Sequence, residues 1–267
     1  MDNPVVFNQR VFQQDNVSAY RKSFDNAAPF RYIIIDDFLD PALAETLFRT
    51  FPALAAMKTH YAGINERKAE DNNLKNLDKS FTVLHESLSS PQFIDWLVSV
   101  TGIMPLYTVN DRLGYGLHQG GNGSFLDVHI DYNIHPSEKL HRKINFILFL
   151  NPEWQQDWGG FLELWDAKTN KRAHAIAPLF NRLVIFECSE VSYHGYSRIN
   201  VPANITRKSY YQYYFTPLPQ HIRYHDTIFR ARPEDPLFKK AAAPIKDFLK
   251  NSVKKTLMTI GLKKFLK

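Results

Sequence analysis

The sequence predicts a mainly β domain with flanking helices, of the α+β class, and two observations carry this prediction. Between residues 113 and 215, short apolar runs of strand length are separated by Gly, Pro and Asn, with little helical periodicity among them. This pattern is typical of β-sandwiches and barrels. Ahead of these runs, two segments begin with a capping residue followed by proline, which indicates helix starts.

The N-terminal hundred residues are expected to support the β region. The predicted elements, in chain order, are a strand at 32–36, a helix from Asp40 to Phe51, an exposed loop at 57–80 and a helix at about 90–102. Asp40 and Ser90 can each cap a first helical turn, and proline at the next position is favoured there. The loop is rich in Asn, Lys and Asp and could overhang a site.

His129-Ile130-Asp131 is the most specific chemical motif in the chain. On a strand, His129 and Asp131 point to the same side because side chains alternate with period two. Two imidazoles and one carboxylate hold Fe(II) in non-haem oxygenases and leave coordination positions open, and His194 is the candidate for the second imidazole. The alternative is chance, since the triplet is short and the chain has 10 His.

Five separated motifs in one order carry a resemblance to a known family. They are HxD, LNPxWxxxWGGxLELW, PLFNRLVIF, SYHG and RKSxxxYYxT. Together they resemble the Fe(II)/2-oxoglutarate-dependent dioxygenase superfamily, and within it the bacterial prolyl-4-hydroxylase-like branch, over about residues 30–216. The resemblance implies a double-stranded β-helix (jelly-roll) core, metal ligands at His129, Asp131 and His194, and a basic residue on the last core strand that holds 2-oxoglutarate.

Arg207 and Ser209 are the candidates for binding the far carboxylate of 2-oxoglutarate. Both lie on one face of a predicted strand, and the planar guanidinium can bind a carboxylate through two hydrogen bonds. Lys208 points to the opposite face, and a register shift of one residue would exchange the two roles. The alternative is that both cations are exposed at a strand end.

Four further residues are candidates for contact with the co-substrate. The resembled proteins often carry Tyr at the position of Phe149, which has no hydroxyl group. His118 or Gln119 could compensate, as could Tyr115. Asn145 lies on the same face of its strand as Phe149, and the alternative for it is a buried amide that bonds to the backbone.

The resemblance implies an oxidoreductase, a dioxygenase that hydroxylates an unactivated C–H bond. It would use Fe(II), 2-oxoglutarate and O₂, with ascorbate as an optional reductant, and would release succinate and CO₂. The expected substrate is a prolyl residue of a peptide, or a small metabolite or glycan intermediate. Two alternatives stay open: a non-catalytic jelly-roll binding module, and a membrane-peripheral scaffold that acts through its basic tail.

The basic tail, residues 239–267, holds nine lysines and one aspartate in a chain of total net charge +6, so the basicity is local. Apolar residues recur opposite the lysines at helical spacing, which predicts a basic amphipathic helix. It could contact a membrane surface, dock a protein or pack on the body; no nucleic-acid partner is expected.

Three regions are predicted: 1–104 as a supporting part of the catalytic domain, 105–220 as the jelly-roll core, and 221–267 as a C-terminal extension. The chain has one Cys, a start unlike a signal peptide, and no apolar run of about 18 residues. These features predict a cytoplasmic protein, peripheral at a membrane at most.

Overall fold

Four α-helices and one curled antiparallel sheet of 12 strands make up residues 5–236, the part of the chain that the computed structural model describes. The helices are α1 (Gln14–Asn26), α2 (Pro41–Arg49), α3 (Lys79–Leu88) and α4 (Pro91–Thr101). The strands are β1 (Tyr32–Ile35), β2 (Thr59–Ala62), β3 (Glu66–Asp71), β4 (Tyr115–Gly120), β5 (Phe125–Ile130), β6 (Leu140–Phe149), β7 (Leu162–Asp166), β8 (Lys171–Ile176), β9 (Arg182–Glu187), β10 (His194–Tyr196), β11 (Arg207–Pro217) and β12 (Ile228–Phe229).

The sheet folds into two walls that face each other. One wall has the strand order β1-β9-β6-β11-β4, and the other has the order β5-β10-β7-β8. Strand β3 pairs with β4 at one end and with β5 at the other, so it joins the walls. This curled half-barrel confirms the predicted jelly-roll core with flanking helices.

The helices pack on the outer face of the first wall. Phe81 of α3 and the pair Phe93 and Trp96 of α4 belong to the same buried cluster as Phe146 of β6 and Tyr214 of β11. Residues on alternate positions of β6 and β11 are therefore left to face the space between the walls. The main hydrophobic core thus holds the first wall rigid from outside and leaves its inner face free for polar groups.

Both predicted helix starts are confirmed by their caps. The Asp40 carboxylate accepts from the backbone N–H groups of Ala42 and Leu43, and the Ser90 hydroxyl accepts from Phe93 N. Helix α4 ends at Gly102, whose φ of 67° is the left-handed conformation common at helix ends. Capping of each first turn satisfies backbone donors that have no partner within the helix.

The prediction of an exposed loop at 57–80 is wrong. The segment contains β2 and β3, which form a hairpin, and the first residues of α3. Strand β3 has the sequence ERKAED. Its alternate side chains are charged and face a polar cavity, so the apolar alternation that normally marks a strand is missing.

The C-terminal extension lies partly within the described residues. The predicted amphipathic helix at 239–267 lies outside the described residues. Within the described part, β12 pairs with β5, so residues after 220 add a strand to the core sheet. Searched over residues 5–236, the structure contains no helix that is long and apolar enough to cross a membrane.

Asn181 ties the segment before α2 to strand β9, and its loss should destabilise the fold. Its side chain accepts from Leu39 N at 2.8 Å and donates to Leu39 O at 2.9 Å, and its φ is +55°. We expect Asn181→Ala to lower the free energy of unfolding by about 2–4 kcal/mol, because two buried backbone groups lose their partner. Asn170 also has positive φ, at 52°, but its side-chain oxygen has no partner. Asn170→Ala should therefore lower the free energy of unfolding by only about 1 kcal/mol. Urea denaturation measures both variants, and equal losses of unfolding free energy would contradict this account.

Candidate active site

The three predicted metal ligands meet in a cavity of about 260 Å³ between the two walls. His129 lies on β5, Asp131 follows that strand directly, and His194 begins β10. The Nε2 atom of His129 lies 3.4 Å from Oδ1 of Asp131, and Nε2 of His194 lies 3.5 Å from Oδ2. One ligand atom from each residue lies within 4.8 Å of the others, a spacing that suits a single metal ion.

Hydrogen bonds to the backbone set the tautomers of both histidines. Nδ1 of His129 lies 2.8 Å from the carbonyl oxygen of Asp127, and Nδ1 of His194 lies 3.0 Å from that of Ser192. A carbonyl can only accept, so each Nδ1 carries the proton and each Nε2 lone pair faces the cavity. Burial, followed by the neighbouring His129, lowers the pKa of His194 to about 3. A neutral imidazole with a free Nε2 fits a divalent metal.

Asp131 is held ionised by its neighbours. Burial opposes ionisation, but the Arg142 guanidinium keeps the pKa of Asp131 well below its usual range. Nη2 of Arg142 lies 3.0 Å from Oδ2 of Asp131, and the Asn145 amide donates to the same oxygen at 3.3 Å. These contacts orient the carboxylate from one side, as the outer partners of metal ligands do.

Arg142 reaches the cavity because of a β-bulge. In the pairing of β11 with β6, Tyr214 lies opposite Ile144 but Phe215 lies opposite Arg142, so Lys143 is an extra residue. A bulge re-aims side chains, and it lets Arg142 and Asn145 share a face although they are three positions apart. Arg142 is 1% exposed and lies between the rings of Tyr132 and Tyr213, at 4.8 and 3.3 Å. The sequence analysis missed this residue, because no local pattern marks a bulge here.

Arg207 is a buried cation in the same cavity. Its Nε donates to Gly160 O at 2.7 Å, and its guanidinium lies 4.4 Å from the ring centroid of Tyr196 and 4.8 Å from that of Phe149. Burial lowers the pKa of Arg207 to about 10, and within residues 5–236 no carboxylate pairs with it. The hydroxyl of Ser209 also lines the cavity and is buried without a hydrogen-bond partner. An unpaired buried charge is costly, so this pair fits a carboxylate ligand.

Only some of the other candidates for co-substrate contact face the cavity, because side chains alternate between the two faces of a strand. His118 and Asn145 line the cavity. Gln119 faces the other side of β4, donates to Thr206 and does not line the cavity. Lys208 likewise donates to Thr206, at 2.7 Å, and lies over the Phe48 ring outside the cavity.

A row of charges on β3 forms one side of the cavity, and the sequence analysis missed it. Glu66, Lys68 and Glu70 occupy alternate positions and all line the cavity. Burial raises the pKa of Glu70, but His118 and then Lys68 and the Tyr211 hydroxyl lower it to about 2. The period-two spacing of these charges is the sequence signal that could have revealed the strand.

The set of two histidines and one carboxylate inside a jelly-roll is the arrangement that non-haem Fe(II) oxygenases use. Residues 115–215 match the family model described as the 2OG-Fe(II) oxygenase superfamily. The segment that carries the three candidate metal ligands is therefore similar to the oxygenases of this superfamily. The predicted Fe(II), 2-oxoglutarate and O₂ are the cofactors of the superfamily, whereas ascorbate stays a prediction.

Two curated relatives carry the name prolyl 3-hydroxylase OGFOD1. The protein of Mus musculus is 29% identical over 176 residues, which cover 64% of this chain and 30% of the relative. That of Xenopus laevis is 31% identical over 137 residues, which cover 50% of this chain and 24% of the relative. The chain therefore spans less than a third of the length of either relative.

Solved structures of prolyl hydroxylases share the fold. A prolyl-4-hydroxylase of Pseudomonas putida has a TM-score of 0.52 at 18% identity and covers 74% of this chain and 98% of its own. A prolyl hydroxylase of Trichoplax adhaerens, in complex with a hypoxia-inducible-factor peptide fragment, has a TM-score of 0.54 at 20% identity and covers 76% of this chain and 91% of its own. At these identities the likeness concerns the fold.

Removal of one imidazole from the cavity should abolish tight metal binding. We expect His194→Ala to weaken Mn(II) binding by at least about 100-fold, because loss of a direct ligand should cost at least as much as loss of an outer partner. Isothermal titration calorimetry on metal-free protein measures this. His60 lies on β2 and is exposed, so His60→Ala is the matched control and should bind Mn(II) as the parent does. Parent-like affinity of His194→Ala would remove it from the ligand set.

Proposed function

We propose that this protein is an Fe(II)- and 2-oxoglutarate-dependent hydroxylase that acts on a prolyl residue of a peptide or protein. In this proposal His129, Asp131 and His194 hold the metal, and Arg207 with Ser209 binds the far carboxylate of 2-oxoglutarate. The superfamily match over residues 115–215 supports the reaction class. The names of the curated relatives support the substrate class.

The single observation that carries the proposal is the buried, unpaired Arg207. A guanidinium that is 6% exposed, within the same cavity as the candidate metal ligands, has no carboxylate partner among residues 5–236. A binding module without catalysis would need no such cation beside a metal site. A dicarboxylate that binds both the metal and Arg207 accounts for the two features together.

Bound Fe(II), with 2-oxoglutarate and O₂, would supply the oxidising power for hydroxylation of a C–H bond, and succinate and CO₂ would be the co-products. The chain's own residues bind, orient and shield. Arg207 and Ser209 fix one end of the co-substrate, while Arg142 and Asn145 hold Asp131 in one orientation. No side chain is required as a general base.

Three tyrosines, Tyr61, Tyr132 and Tyr213, line the cavity together with the candidate metal ligands. The solved structure of the Trichoplax adhaerens prolyl hydroxylase contains a bound peptide fragment. We propose that the substrate of this protein is likewise a proline within a peptide. The basic tail at 239–267 is proposed to contact an anionic membrane surface or a protein, because it holds nine lysines and one aspartate.

Binding of 2-oxoglutarate should depend on Arg207 and not on Lys208. We expect Arg207→Met to weaken 2-oxoglutarate binding to the Mn(II)-loaded protein by about 2–5 kcal/mol, the range for removing one partner of a buried charge pair. Lys208→Met on the next position of β11 removes a cation of the opposite face and should change the affinity by less than about 0.5 kcal/mol. Calorimetric titration measures both, and a larger loss in Lys208→Met would place the register of β11 one residue off.

Turnover is the direct test of the proposed activity. The protein with Fe(II), 2-oxoglutarate and O₂ should convert a member of a proline-containing peptide panel to a product heavier by one oxygen atom, with one succinate per product. The hydroxylated residue is located by tandem mass spectrometry. Oxygen gain on small metabolites alone would contradict the peptidyl substrate. An absence of 2-oxoglutarate-dependent oxygen gain on any compound would contradict the hydroxylase.

A further inference from the structure

Residues 222–236, here called the strap, lie after the segment that matches the superfamily model, which ends at residue 215. The strap contains β12, which pairs with β5, the strand that carries His129. Thr227, at its middle, lines the active-site cavity. The cavity is therefore completed by residues outside the matched domain.

The strap pairs directly with the strand that carries His129. Ile228 lies opposite Ile130 and Phe229 lies opposite His129 in an antiparallel ladder, and Arg230 N donates to Val128 O at 2.7 Å. The Phe229 ring lies 5.5 Å from the His129 ring, between centroids. Both the backbone and the imidazole of this ligand are thus in contact with the strap.

The strap also supports the second imidazole. The Arg230 guanidinium lies 3.6 Å from the ring centroid of Tyr193, the residue before His194, and Nη1 of Arg230 donates to Ala167 O at 3.0 Å. A planar guanidinium stacked on a ring restrains that ring. One residue of the strap therefore bridges from the β5 ladder to the segment that begins β10.

Polar contacts fix the strap at both of its ends. At the first end, Asn133 donates to Arg223 O at 2.8 Å and accepts from His225 N at 3.0 Å. At the other end, Arg232 forms an ion pair with the buried Glu163 of β7. A segment held at both ends and laddered in between has few alternative positions, so it can act as a fixed support.

From these contacts we infer that the strap is part of the metal centre, with Phe229 and Arg230 as positioning residues for His129 and His194. The inference rests on the proposed metal site. Strand β5 pairs with β3 only through Phe125 and Leu126, so at the His129 end the strap supplies the neighbour on that edge. Without it, the His129 end of β5 would be paired on one edge only, through β10, and the Nε2 atom of His129 would be less well oriented toward the metal ion.

The test uses the full-length metal-free protein and Mn(II) or Co(II) alone. Phe229→Ala is expected to weaken Mn(II) binding about tenfold, the lower end of the range for partners of metal ligands, and to change the visible absorption spectrum of bound Co(II). Phe229→Tyr keeps the ring and should restore both. Arg230→Met removes the guanidinium above Tyr193 and should produce an independent loss of affinity, also about tenfold.

The control is Phe12→Ala, because Phe12 is also half-buried and packs on other rings, Phe7 and Trp96, remote from the metal ligands. It should lower the melting temperature and leave Mn(II) affinity and the Co(II) spectrum unchanged. If the parent protein binds Mn(II) and both Phe229→Ala and Arg230→Met bind it equally well, the inference about the strap is overturned while the metal site stands. If the parent binds no Mn(II), the proposed metal site fails, and the strap inference fails with it.

Discussion

The pairing of β5 with β10 is the constraint on which the site depends. His194 lies opposite His129 in this ladder, so two imidazoles from distant parts of the chain meet across one pair of strands. A shift of one residue in the register would turn His194 to the other face. Gly195 permits the close approach, since a Cβ there would lie 2.7 Å from the carbonyl oxygen of Leu126.

Some charged side chains in the cavity are paired and Arg207 is not, and this difference suits the site to an anionic ligand. Asp131 is paired with Arg142, and Lys68 lies 3.4 Å from Glu66. Arg207 is a buried cation of this cavity with which no described carboxylate pairs. Low-polarity surroundings make such a charge costly unless a ligand neutralises it. The fold thus supplies a fixed anion site on β11 and a candidate cation site on β5 and β10, which is the arrangement that a metal-chelating dicarboxylate requires.

Sequence patterns were sufficient where a local rule governs the structure. The caps at Asp40 and Ser90 predicted both helix starts, and the alternation on the last core strand separated Arg207 from Lys208 correctly as to face. The fold class followed from the spacing of strands and turns together with the resemblance to a known family. These features depend on residues that are close in the sequence.

The missed features depend on tertiary structure. Strand β3 was taken for a loop because its inward face is charged, and only the cavity opposite explains that pattern. Arg142 enters the site through a bulge that is visible only once β6 is paired with β11. Helix α1 buries only Val17 and Phe24, too few positions to reveal its periodicity. The strap carries few local signals, since its role comes from contacts with β5 and β7 that no sequence window includes.

The central claim is that the register of β5 and β10 builds one metal site from His129, Asp131 and His194. Anomalous X-ray diffraction from crystals of the Mn(II)-loaded protein, collected at the manganese absorption edge, tests it most directly. The account predicts one dominant peak within coordination distance of Nε2 of both histidines and of an Asp131 carboxylate oxygen. A dominant peak elsewhere, or none in this cavity at saturating Mn(II), would contradict it.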